Sequence, residues 1–411
     1  GRTQSSRTQD VMVVLQTGLA LVLLMAAGLL AQSLRHLKNQ DFGFQTQGRL
    51  ILTVAPPTQY TPGQLPPLYQ RLQQQLTSVP GVESASMSLY SPMDGHGWDE
   101  PISVNGKEIV HPLQHSKWPA QNRVSTHYFE TIGTPILRGR PIAEQDTADS
   151  QHVAVVSESF ARTFFPGQDA LGKHFGVEEP GHSNDYEIVG ITEDTKYAFP
   201  DDKADPIFFL PLSQSEGTYE DSAQAAEQRM THYIGSVQLR VAGAPGSYDQ
   251  PVRRALAAVD PNLTITAMRS FSDQLAMNFS GKDLLATLTT AFGLLALLLA
   301  SIGLYGVVAY TVARHTNEIG IRMALGANRV NVVRMVLLGA MKLVILGLLI
   351  GIPVALLAGR AIASQLFGVL PYDPLILGAS ALTLLACAAL AALLPARRAA
   401  AIDPMIALRA E

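Results

Sequence analysis

Arg314–Asn331, RHTNEIGIRMALGANRVN, is a polar island between two long apolar runs. Leu284–Ala313 on one side carries no charged residue, and on the other side Lys342 and Arg360 bracket a second uncharged run. A segment this short between two membrane spans lies at one face of the bilayer. Its basic residues, Arg314, Arg322, Arg329 and, just beyond, Arg334, put that face in the cytoplasm. The island also reads as a small helix: Thr316 or Asn317 caps its start, Glu318 complements the positive end of the dipole, and Gly326 ends it. Glu318 and Arg322 form an i,i+4 pair in the favourable order and Leu325 continues their stripe, while Ile319 and Met323 lie on a different face. One face can rest on the membrane or on neighbouring helices while the other meets something in the cytoplasm. A solvated loop obeying the positive-inside rule is the plainer reading of the same residues.

The composition agrees with a membrane chain. Of 411 residues, 47% are hydrophobic and only 16% charged, with the apolar blocks at the two ends and a polar middle. The net charge of −4, without a basic excess, speaks against nucleic acid as a partner. The single cysteine, Cys387, lies in an apolar run, which leaves no disulfide or cysteine-based metal site within the chain. A start at Gly1, with no initiator Met, points to a fragment or a processed piece.

Outward from the island, Val11–Ala31 is apolar except for Gln16 and Thr17 and is long enough to cross the hydrocarbon, with Arg2 and Arg7 before it. The competing reading is a cleaved signal peptide, for which the run is long and the cleavage site unclear. Residues 33–282 form one polar segment that begins and ends on the same unit. The first copy is a strand Arg49–Ala55, a helix near Leu65–Ser78 and a strand Val82–Leu89. The second is a strand Ser236–Val241, a helix near Tyr248–Val259 and a strand Leu263–Met268. Pro80-Gly81 and Asp260-Pro261 punctuate the two copies alike, which predicts a split βαβ, ferredoxin-like layer over 48–89 and 233–270. Between the copies, 90–232 reads as a β-rich insertion, with 213–231 as a polar, mobile loop. Three further spans are expected at 284–313, 343–359 and 375–394, and a cytoplasmic tail at 395–411. The second span, about 45 Å as a helix against a core near 30 Å, should project outwards as a stalk. Pro353 is placed to kink the third.

Several stretches resemble a known family. Glu318–Ala327, EIGIRMALGA, is similar to the cytoplasmic coupling segment of FtsX-like permeases, the membrane subunits of MacB-type ABC transporters. Thr131–Ile142 (TIGTPILRGRPI) and Ser157–Phe175 (SESFARTFFPGQDALGKHF) resemble the MacB-like periplasmic core domain. The outer loop Leu366–Pro374 (LFGVLPYDP) and the tail from Pro395 resemble the FtsX-like carboxyl terminus. The resemblance implies an α-helical membrane protein of four transmembrane helices with a large α+β extracytoplasmic domain. It comprises residues 1–32 (amino terminus and first span), the outer domain 33–282, and a permease domain 283–411 with the coupling segment at 314–331. It further implies docking of Glu318, Ile319, Gly320, Arg322, Met323, Leu325 and Gly326 on a cytoplasmic ABC ATPase subunit, in which ATP and magnesium are bound. A second permease half, as a homodimer or a fused tandem half, would complete the unit in the lipid bilayer of the bacterial inner membrane. A periplasmic adaptor or outer-membrane channel stays open. The rival readings are an FtsX-type regulator passing force to a cell-wall hydrolase and a membrane-anchored sensor or adaptor.

The apparent chemistry is weak. Gly167–His174, GQDALGKH, falls one residue short of a phosphate-binding loop: His174 replaces the hydroxyl that holds magnesium, and a helix precedes it where a strand belongs. It is expected to be a turn and strand start, and the chain is not expected to hydrolyse ATP. His111 and His115 stand four apart but Pro112 breaks the helix that spacing needs, and Glu144, Asp146 and Asp149 lack the pattern of a calcium loop. Asp94-Gly95-His96-Gly97 reads as a flexible turn. No catalytic residue, cofactor or metal site is expected in this chain.

Overall fold

The computed structural model describes residues 2–108, 118–178, 180–201, 203–215, 222–324 and 328–401; His111 and His115 lie outside them. In chain order the elements are α1 (Arg2–Lys38), β1 (Arg49–Val54), α2 (Leu65–Thr77), β2 (Val82–Ser88), β3 (Ile102–Val104), β4 (Lys107–Glu108), β5 (Ala120–Val124), α3 (Tyr128–Ile132), β6 (Ile136–Gly139), β7 (Val153–Ser157) and α4 (Glu158–Phe164). They continue with β8 (His174–Val177), β9 (Tyr186–Thr192), β10 (Ile207–Pro211), α5 (Ser222–Met230), β11 (Ser236–Val241), α6 (Asp249–Val259), β12 (Ile265–Ser270), α7 (Phe271–Arg314), α8 (Thr316–Ala324), α9 (Arg329–Ala361) and α10 (Pro374–Ala400). The described residues fall into two compact units: residues 41–278, and residues 1–40 together with 279–411.

In the first of these, β12, β1, β11 and β2 lie side by side in that order, all antiparallel. This is the strand order of a split βαβ layer, built by the two matching units. Its core forms because α2 places Leu65, Leu68, Tyr69, Leu72 and Leu76 on one stripe while Leu50, Leu52 and Val54 alternate onto the facing side of β1. Each such side chain contributes about 2 kcal/mol by leaving water. The last strand begins at Ile265 rather than Leu263, and it is the half-buried edge of the sheet.

The inserted lobe continues the sheet through β5, β10, β7, β9 and β8, with β5–β10 and β7–β9 parallel. Its strands join the split βαβ layer, the porter layer, at one ladder position, Ser88 with Val124, and α3 adds a second connection, Thr131 O accepting from Arg49 (2.7 Å) and its hydroxyl bonding Ser84 (2.6 Å). Its own core is aromatic, with Phe160, Phe175 and Phe208 within 5.9 Å of one another by ring centroid. Gly167–His174 is a turn followed by the first residue of β8. Asp146 is buried and accepts two bonds from Arg140, each 2.8 Å, and one from the Ala143 amide, so its carboxylate holds a turn together.

The expected loop over 213–231 contains a helix instead, α5. Its sequence, SAQAAEQRM, is made of good helix formers without Gly or Pro. Gln228 and Thr231 are buried at its end, where Gln228 donates to Glu100 (2.8 Å) and Thr231 accepts from the fully buried Arg123 (2.7 Å).

In the other unit, α1, α7, α9 and α10 are each long and apolar enough to cross a membrane. All four run beyond the spans read from hydropathy. α7 begins at Phe271, not Leu284, because Ser270 accepts from the Asp273 amide (3.0 Å) and the polar residues that follow interrupt the apolar run without breaking the helix. α9 begins at Arg329, not Leu343, and contains Pro353. α10 carries Arg397 and Arg398, so the tail from Pro395 starts as helix. Asp373 caps it, accepting from Leu375 N at 2.8 Å. α1 meets α9 where Gly18 faces Gly347 and Gly351; a Cβ on Gly351 would lie 2.9 Å from the Gly18 Cα, so the backbones touch.

Burial pushes the Glu100 carboxyl up from its ordinary 4.5 to about 7, with Glu178 and Glu227 adding repulsion and the Trp98 and Gln228 donors opposing the rise. The folded chain therefore holds this proton where the unfolded chain has released it, and the lobe loses stability as pH climbs from about 4.5 to about 7. Glu100→Gln keeps an acceptor for Trp98 and Gln228. It should flatten that slope and leave the lobe more stable than the parent above pH 7, read as amide hydrogen exchange in β10 and α5.

Candidate functional site

The polar island folds around a break at His315, which separates the end of α7 from α8. Thr316 does not cap α8 as its position suggested. Its hydroxyl donates back to Val312 O (3.1 Å) and Ala313 O (2.9 Å), tying the new helix to the last turn of the old one. Leu325 and Gly326 lie outside the described residues, and Arg329–Asn331 already belong to α9.

The two faces of α8 have different jobs. Ile319 is 2% exposed and packs with Val332 of α9 and Ala399 and Ala400 of α10, with Met323 half-buried beside them. Gly320 is buried as well. Glu318, Ile321 and Arg322 face outward, Ile321 being 48% exposed. Arg322 donates to Glu318 (2.5 Å) and to the Met335 sulfur of α9 (2.8 Å). Two groups within the expected set are thus separated: Ile319, Gly320 and Met323 face inward, and Glu318 and Arg322 face outward. Ile321, three residues after Glu318 on the same outward side, was not among the residues expected there, because its apolar character does not mark it as surface.

Magnitudes decide what holds α8 in place. An exposed i,i+4 ion pair stabilises by about 0.3–0.5 kcal/mol, whereas burying an isoleucine contributes about 2 kcal/mol. Ile319 is the anchor, and Glu318 and Arg322 can exchange partners at little cost. Beside them opens a cavity of about 560 Å³ lined by Asp10 of α1, Arg314 of α7, Glu318, Ile319 and Arg322 of α8 and Lys342 of α9. Elsewhere on α7, Tyr305 accepts from Arg398 of α10 (3.2 Å).

Comparison with known proteins fits this architecture. Residues 12–259 match the model of the MacB-like periplasmic core domain, and residues 290–404 match that of the FtsX-like permease C-terminal region. The chain belongs to the permeases with a MacB-like periplasmic core domain. Relatives of this permease include a pyoverdine export ATP-binding/permease protein, PvdT, of Pseudomonas syringae pv. syringae, 26% identical over 300 residues. The match covers 73% of this chain and 44% of that protein. A macrolide export ATP-binding/permease protein, MacB, of Azoarcus sp. is 28% identical over 298 residues, covering 71% of this chain and 42% of its own. The permease thus spans less than half the length of these relatives. Among solved structures, the periplasmic region of MacB from Actinobacillus actinomycetemcomitans aligns at a TM-score of 0.38 and 13% identity, over 58% of this chain and 95% of that one.

The division between anchor and surface has a direct test. Ile319→Ala should expose α8 amides to hydrogen exchange by about 2–4 kcal/mol of lost protection, as expected for a cavity-forming truncation. Glu318→Gln should change it by less than about 0.5 kcal/mol.

Proposed function

We propose that this chain is the membrane permease of a MacB-type ABC transporter and works as a mechanical element, with ATP and magnesium handled by an ATPase that meets it in the cytoplasm. The observation that carries the reading is the two-faced α8: an apolar side seated on α9 and α10, and a charged side left exposed. Glu318, Ile321 and Arg322 are the contact surface in this reading, with Ile319, Gly320 and Met323 holding that surface in register. Leu325 and Gly326 belong to the same contact by resemblance.

Movement of α8 passes to α7, since Thr316 bonds the two helices at their junction. α7 is one unbroken helix of about 66 Å at 1.5 Å per residue, longer than any bilayer core. It carries the motion to residues 41–278, the extracytoplasmic domain, which acts on the cargo. Relatives named for pyoverdine export and macrolide export support an outward direction. The clustered Arg314, Arg322, Arg329, Arg397 and Arg398 support a cytoplasmic side for α8 and the end of α10, in a bacterial inner membrane. A second permease half and two ATPases complete the unit, and an adaptor or outer-membrane channel is a further partner for the outer domain.

Co-purification from native membranes tests the assembly: an ABC ATPase should accompany the chain. In that complex Glu318→Lys or Ile321→Asp should abolish stimulation of ATP hydrolysis while leaving insertion and expression intact. Unchanged stimulation in both variants would remove this face of α8 from the role.

A further inference from the structure

The turn Ser91–Gly97, where the chain leaves β2 of the porter layer for the lobe, is not a flexible tip. Asp94 accepts from the Ser91 and His96 amides, both 2.9 Å, and the carboxyl is largely buried, which raises its pKa. Met93 is 2% exposed and sits at φ 62°, in the left-handed region that a side chain of this size rarely adopts. Strain of this kind persists only where the surroundings over-determine it. One restraint comes from the lobe, as the Met93 amide donates to Tyr197 O at 2.7 Å.

The other restraint comes from the first turns of α7. Gln274, 3% exposed, donates through Nε2 to Ser91 Oγ (2.8 Å) and to Pro92 O (2.7 Å). One turn on, Asn278 donates through Nδ2 to Met93 O (2.8 Å) and to Gln274 O (3.1 Å). Both protons of each amide are spent, so the grip is directional as well as close. Phe271, 1% exposed, seats the same end of the helix against Phe44, with ring centroids 4.7 Å apart. Porter and lobe strands pair at one ladder position, Ser88 with Val124, and beside it Thr131 of α3 ties the lobe back to the porter, its carbonyl accepting from Arg49 (2.7 Å).

We propose that Gln274 and Asn278 form the joint through which α7 turns the lobe against the porter layer. The two amides hold successive backbone positions of the crossing strand, so a shift or rotation of the helix is imposed on the chain as it enters the lobe. An apolar contact at the same place would let that strand slip. The proposal rests on the mechanical reading of the permease and names positioning residues for it, none of which touches cargo or nucleotide.

The test uses the complex purified from native membranes in lipid nanodiscs, with amide hydrogen exchange at residues 91–99 compared between the nucleotide-free state and ATP with vanadate. In the unaltered complex, exchange of the Met93 and His96 amides should differ by about tenfold between the two states, the size expected when one hydrogen bond is made or lost. With Gln274→Met and Asn278→Leu together, which keep volume and remove the donors, that difference should vanish while ATPase stimulation persists. A nucleotide response equal to that of the parent overturns the joint. No response in the unaltered complex overturns the mechanical reading itself, and the joint with it. Protection of β1 and β11 reports whether the double variant is folded. Should it fail there, Asn278→Leu alone, at a half-buried position, carries the test, with a nucleotide response reduced by severalfold expected and a parental response overturning the proposal.

Discussion

Helix α7 leaves no backbone group unpaired between Phe271 and Arg314 except at its ends, and most of the molecule's organisation follows from that continuity. A chain that crosses hydrocarbon must satisfy its amides internally, so the apolar stretch from Leu284 has to be helical. Nothing in that requirement ends the helix where lipid ends. The residues before Leu284, among them Asp273, Gln274, Asn278 and Lys282, are polar but tolerate the same conformation, and the helix goes on until β12 begins. Strand and span are joined with no loop between them. Near this point Lys38, at the close of α1, pairs with Asp283 at 2.7 Å, an exposed contact that adds little stability but marks where the two helices run side by side.

The porter layer was legible because its signals are local and occur twice. Val82–Ser88 and Ser236–Val241 alternate, helices of matching length precede or follow them, and Pro80-Gly81 and Asp260-Pro261 mark the turns. The order β12, β1, β11, β2 follows from joining two such units. The spans were legible for their apolar cores but not for their ends. Hydropathy counts charges, and Arg334, Lys342, Arg397 and Arg398 interrupt that count without interrupting helical hydrogen bonding. α5 escaped notice for the converse reason: its amides and small residues look like loop until Gln228 and Thr231 find Glu100 and Arg123, more than a hundred residues earlier in the chain.

At α8, periodicity separates the charged stripe from the apolar one but cannot say which apolar position faces inward. Ile319 and Ile321 are equally hydrophobic; only the position of Val332, Ala399 and Ala400 makes the first an anchor and the second a surface. Likewise Asp94-Gly95-His96-Gly97 has the composition of a loose turn. Its order comes from Tyr197 and from Gln274 and Asn278, which no local pattern reveals. In both places the side chains that matter are ordinary, and their significance lies in distant neighbours.

The contact of Gly18 with Gly347 and Gly351 has its own consequence. Two helices whose backbones touch cannot roll past each other without first parting, and parting would strip dispersion contacts along both. α1 and α9 are therefore keyed together like a hull plank to its frame, and α10, packed against α9 through Leu384, Ala388 and Ala392, travels with them. The remaining span, α7, joins the same core through Ala300, Leu304 and Val308 and leaves Phe292, Leu294 and Leu298 exposed on its other side, an apolar surface suited to acyl chains.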